Sequence, residues 1–185
     1  MMRFRRLFIL AFLLIFGGCS SKEFYTLGDI SKIKRGVIEK KEFIGVEQVK
    51  VPAYLMDSPI YVKRSDYHVK KLENANWVNS MDERLTSVLI AYLQKYMDNP
   101  NIYLYPWSGV RHIDKKLTLI INDFIASNGE VHLSARYRIL DKKTKNIDSY
   151  FFEINEPFYG KRVEDMIMAM EKAYFKLIQD ISKKL

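Results

Sequence analysis

Residues 116–154 read KLTLIINDFIASNGEVHLSARYRILDKKTKNIDSYFFEI, and their pattern decides the fold. Val131, Leu133, Ala135, Tyr137 and Ile139 alternate with Glu130, His132, Ser134, Arg136 and Arg138. That two-residue period predicts a strand with one buried and one wet face. Just before it, Asn128-Gly129 is a type I′ hairpin signal, since both turn residues must take positive φ. The strand before the turn, Lys116–Ala126, is apolar on both sides, with Leu117, Leu119 and Ile121 on one and Ile120 and Phe124 on the other. A strand of that kind belongs in the middle of a sheet. A second turn over Asp141–Asn146 leads to a third strand, Ile147–Ile154, which Pro157 closes.

The apolar face of such a sheet needs a cover, and two helices supply it. Downstream, Val163, Met166, Ile167, Met170, Tyr174, Leu177, Ile178, Ile181 and Leu185 form one stripe of a helix over about 163–184. Upstream, Met81, Leu85, Val88, Leu89, Tyr92, Tyr96 and Met97 do the same over 81–97. Ser80 with Glu83 three residues on spells a capping box, and Asp98-Asn99-Pro100 stops the helix. Shorter strands are predicted at Phe24–Leu27, Glu42–Val51 and Ile102–Tyr105, and a hairpin over Ile60–Arg64 and Tyr67–Leu72. The segment Ile30–Gly36 reads as a loop. The sum is an α/β (α+β) domain of two layers. Its sheet is mostly antiparallel, of about six to seven strands, with both amphipathic helices on one face. The 185 residues, 48% apolar and 28% charged, suit one globular domain and exclude wholesale disorder.

The first twenty residues read differently. Met1–Arg6 is basic, Leu7–Phe16 is an unbroken apolar run, and Gly17-Gly18-Cys19 follows. This is the layout of a secretory signal peptide, too short in its apolar part to span a bilayer. Leu14-Ile15-Phe16-Gly17-Gly18-Cys19 resembles the bacterial lipobox, with Phe16 in place of the usual Leu. The resemblance implies cleavage between Gly18 and Cys19 and lipidation of Cys19 by diacylglycerol and an acyl chain such as palmitate. The expected layout is a signal peptide over 1–18, a lipidated tether over 19–23 and a single domain over 24–185. Two or three acyl chains, at about 0.8 kcal/mol per buried CH₂, anchor a protein essentially permanently. Ser20, rather than Asp, follows the Cys. By resemblance to the sorting rule of enteric bacteria this points to the periplasmic face of the outer membrane; the rule varies between bacteria and leaves the inner membrane open.

Chemistry is sparse. The single Cys excludes an intramolecular disulfide framework and any Cys-based zinc cluster. His68, His112 and His132 have no metal-ligand spacing, and no nucleophile elbow, phosphate loop or dinucleotide fingerprint occurs. No enzyme activity and no cofactor are expected. The net charge of +8 falls to +5 once Arg3, Arg5 and Arg6 leave with the leader. That is too little to argue for nucleic acid but suits an anionic surface. The pairs Lys40-Lys41, Lys70-Lys71, Lys115-Lys116, Lys142-Lys143 and Lys183-Lys184 lie at predicted ends or turns. Most are expected to be solvated, with Lys70 and Lys142 as candidate contact residues. The 12 Tyr and 11 Phe exceed what a small core needs, so some aromatic surface is expected at an interface.

The centre of the chain carries a family resemblance. Val51-Pro52-Ala53-Tyr54-Leu55, followed by Ile60-Tyr61-Val62-Lys63-Arg64, resembles the "VPxYL" turn and Arg-ending strand of the PqiC/YmbA family of ABC-transport auxiliary lipoproteins. Trp77 with Met81–Leu93, and Phe24–Leu27 soon after the Cys, also match that family's pattern. The resemblance implies a non-enzymatic outer-membrane partner of an MCE-type (mammalian cell entry) lipid transport system, supporting envelope integrity. Its implied partners are the membrane lipid around the acylated Cys and a periplasmic MCE-domain protein, with a homo-oligomeric ring left open. An outer-membrane assembly lipoprotein, accessory to lipopolysaccharide or barrel insertion, is the alternative.

Overall fold

The computed structural model describes residues 21–36, 42–106 and 112–185. Its elements, in chain order, are β1 (Glu23–Tyr25), β2 (Ile44–Glu47), β3 (Pro59–Ser65), β4 (His68–Trp77), α1 (Met81–Tyr96), β5 (Ile102–Tyr105), β6 (Lys115–Ser127), β7 (Glu130–Asp141), β8 (Ile147–Pro157) and α2 (Val163–Ser182). Short 3₁₀ turns cover Ile30–Lys32 and Ala53–Leu55. All eight strands belong to one sheet.

The meander β6-β7-β8 is antiparallel and carries the longest ladders. Asn128 and Gly129 take φ of 50° and 84°, the positive pair that a type I′ turn demands. The other edge of β6 is shared between segments. Parallel β2 pairs its first residues, Lys50 bridges to Ile120, and parallel β3 pairs Ala126 and Ser127. The sheet is therefore mixed, and it has one or two strands more than the sequence predicts. The parallel pairings join segments far apart in the chain, which no local period reveals.

Both helices lie on one face. The second, α2, packs over β6, β7 and β8, the first over β2 and β5, and the two helices touch each other. The Tyr174 hydroxyl, fully buried, donates to the Leu85 carbonyl at 2.8 Å and ties them together. Burial of that ring pushes its hydroxyl well above the ordinary tyrosine range. The Tyr137 hydroxyl on β7 donates to Asp180 of α2 at 2.7 Å. Leu85, Leu89, Leu93, Leu177, Ile178 and Ile181 are wholly sealed from solvent, each worth about 1.5–3 kcal/mol of burial.

The capping box foreseen at α1 does not form. Ser80 is the N-cap, but its hydroxyl donates to Asp82 instead of accepting from the helix. Engaged with the Asp82 carboxylate, the hydroxyl does not cap the amide of Glu83. A carboxylate does close the start of α2, where Asp165 accepts from the Arg162 amide at 3.3 Å and its guanidinium at 3.0 Å.

Candidate interaction surfaces

Gly18 and Cys19 lie outside the described residues, as do Lys40 and Lys41. The first strand, β1, begins four positions after Cys19. This strand pairs parallel with β4, Glu23 opposite Ala75 and Tyr25 opposite Trp77. Because the two run parallel, Ser21 and Lys22 enter β1 from the side of Leu72. Beyond β1 the backbone is pinned to both helices. The Arg84 guanidinium donates to the Leu27 carbonyl at 2.7 Å. The Glu171 carboxylate accepts from the amides of Gly28 and Asp29 at 2.6 and 2.8 Å. Gly28 has φ +98°, and a Cβ there would come within 2.2 Å of Val88, so only glycine fits. The Tyr25 hydroxyl donates to Glu23, and this bond pushes its pKa up to about 12.

Lys70 and Lys142 are both exposed, and the sheet holds them apart. Lys70 stands opposite Val62 on the β3-β4 hairpin, at the level of Ala126. Lys142 follows the far end of β7, opposite the start of β6. At about 3.3 Å per residue the strand separates these levels by roughly 35 Å. The two lysines therefore mark opposite ends of the sheet. Several other lysines are already used. Lys115 pairs with Glu42 at 3.0 Å, Lys116 with Glu47 at 3.0 Å, and Lys143 with Asp114 at 3.1 Å. Lys184 lies 5.4 Å over the Tyr150 ring. The aromatics divide in the same way: Tyr92, Phe124, Tyr137 and Tyr174 are core, while Phe24, Tyr67, Phe151 and Tyr159 are exposed.

The three histidines are scattered. His68 opens β4, His112 precedes β6 at 3.3 Å from Asp114, and His132 contacts Asn155 at 2.8 Å. Among the described residues no group of His, Cys, Asp and Glu is placed to hold a metal.

Sequence reasoning passed over a cleft of about 340 Å³ at the Lys70 end. Its walls are Val62, Leu72, Phe158, Val163 and Met166, and its rim carries Lys63, Arg64, Lys161 and Arg162. The adjacent pair Lys161-Arg162, just after an aromatic and a glycine, was the signal available.

The VPAYL segment has a structural task. Leu55 is buried. The Tyr54 hydroxyl donates to Asp123 at 2.6 Å and accepts from the Phe124 amide at 2.8 Å. It thereby satisfies β6 in the gap between the Lys50 bridge and β3, beside a bulge at Ile121/Asp123. The family pattern described as the ABC-type transport auxiliary lipoprotein component matches residues 25–182, and so spans this segment, Trp77 and both helices. The chain belongs to this family. The family consists of transport auxiliary components and is not an enzyme family, which makes this chain a periplasmic auxiliary lipoprotein. Two solved structures share the family fold. The crystal structure of an uncharacterized protein aligns at a TM-score of 0.71 and 18% identity, over 89% of this chain and 98% of that one. Protein XCC0632 from Xanthomonas campestris aligns at 0.71 and 11% identity, over 88% and 93%. No curated protein matches the sequence.

Proposed function

We propose that this family member is held at the periplasmic face of the outer membrane by lipid on Cys19, and that it docks a periplasmic MCE-domain protein of an ABC-type lipid transport system. The family match across residues 25–182 carries this reading. The lipobox ending in Cys19 supports the anchor. Three residues, Ser20–Lys22, separate Cys19 from β1, a reach of at most about 15 Å, so the partner must come to the membrane. The anchored chain enters on the Leu72 side, which turns the Lys70 end toward the bilayer. The opposite end, bearing Lys142, Lys145 and Lys183, then projects into the periplasm. Its exposed lysines suit a partner with acidic residues at its tip.

A photo-crosslinking residue at Lys142 tests this in vivo. Capture of an MCE-domain protein is expected, and a deletion of this gene should add nothing to the membrane-stress sensitivity of an MCE deletion. Capture of a β-barrel protein alone would favour the assembly-lipoprotein alternative.

A further inference from the structure

The cleft at the Lys70 end has a composition that neither docking nor folding requires. Val62, Leu72, Phe158 and Val163 are only partly buried there, and they pack on the core beneath. Folding has left an apolar trough open rather than closing it. Two of the four rim cations are already engaged, Lys63 with Asp66 at 3.3 Å and Arg162 with Asp165 at 3.0 Å. Arg64 and Lys161 are exposed and have no acidic partner among the described residues. A trough with two free cations at its mouth is complementary to an amphiphile that joins an apolar chain to an anion.

The volume sets the size of the chain. At about 30 Å³ per water-sized unit, 340 Å³ has room for roughly ten such units. That is one acyl chain in part, not a whole lipid. The surroundings indicate the source. Tyr67 at the β3-β4 turn is fully exposed and Tyr159 is 91% exposed. Tyrosines beside lysine and arginine are the residues that sit at a membrane–water interface. Ser21 and Lys22, which lead into β1, also lie on this side, toward Leu72.

We propose that the cleft takes one acyl chain of a membrane phospholipid, with Arg64 and Lys161 receiving its phosphate. Its orientation toward the bilayer rests on the anchor at Cys19; its chemistry rests on the cleft alone. The domain would then hold a lipid partly lifted from the leaflet at the point where a transport partner arrives.

The test uses the lipidated protein in vesicles containing phosphatidylglycerol with a diazirine on one acyl chain. After illumination, labelled peptides are mapped. Label is expected on Val62, Leu72, Phe158 or Met166. The double variant Arg64→Glu, Lys161→Glu should lower it at least about tenfold, since it removes two charge-assisted contacts and places like charge at the phosphate. Both positions are exposed, so the fold should survive, and label near Ser21 and Lys22 serves as the internal standard. Label confined to the tether and the exposed tyrosines would overturn the proposal, as would cleft label that the double variant leaves unchanged. Equal cleft labelling by a phosphate-free diacylglycerol probe would overturn the phosphate assignment. Partner capture from Lys142 is scored separately, so either reading can fail while the other stands.

Discussion

Tyr54 stands in for a strand. Along β6, the Phe124 amide has no partner in β2 or β3, and the Tyr54 hydroxyl accepts from it instead. Burial of Tyr54, followed by its bond to Asp123, pushes its hydroxyl far above the ordinary range, so it stays protonated and keeps donating. Tyr54→Phe removes both bonds and strands a buried amide, which should cost about 1–3 kcal/mol. Urea denaturation would show this as a lower midpoint with unchanged slope. A midpoint equal to wild type would mean that water replaces the hydroxyl. Asp114 gives a pH effect. It accepts from the Phe43 amide at 2.9 Å and pairs with Lys143, and these contacts hold its carboxyl below the usual range. A depressed carboxyl stabilises the fold above its unfolded value, about 3.9, and the gain is lost as pH falls through the folded value. Stability should therefore fall on acidification below about pH 4, and Asp114→Asn should flatten that decline. Equal pH slopes in both proteins would exclude the role.

At the scale of elements, the helices test the two-layer reading. Ile178 lies in the core face of α2 and is fully buried, whereas Phe151 of β8 is 80% exposed. Ile178→Asp should abolish the cooperative melt, because a lone carboxylate cannot be buried there, while Phe151→Ser should leave it unchanged. Circular dichroism melts of the two variants decide; a native-like melt for Ile178→Asp would mean that α2 does not cover the sheet. These elements were legible because their signals are local. The alternation at Val131–Ile139, Asn128-Gly129, and the stripes of α1 and α2 each sit within one stretch of chain. What stayed hidden is long-range. Nothing near Ile44 announces that it pairs parallel with both Ile102 and Lys115. The VPAYL motif was visible as a motif, but the role of Tyr54 depends on a bulge about seventy residues away. Of the cleft only the Lys161-Arg162 pair was visible, for the same reason: Leu72, Ala126 and Met166 come from three separate elements.

With the anchor proposed at Cys19, the whole molecule becomes a body on a short leash. From Leu27 to Asp29 the chain is fixed to Arg84 and Glu171, so on the anchor reading the length of Ser20–Lys22 sets the distance from the lipid to the domain. If the domain works by holding one end against its bilayer, the length of that leash matters more than its sequence. Replacing Ser20–Lys22 by other polar residues of equal number should preserve function. Inserting about twelve Gly/Ser residues there adds roughly 20 Å of root-mean-square reach. The cleft and its tyrosines would then lose their enforced proximity to the headgroups, although no residue of the domain has changed. The lengthened protein should fold and be lipidated normally yet fail to relieve the membrane-stress sensitivity of a strain lacking the gene. Capture of the MCE-domain protein from Lys142 separates the two parts of the mechanism. Retained capture with lost function would locate the defect at the membrane end. Full complementation by the lengthened chain would show that proximity is not required, and that the domain acts through its periplasmic end alone.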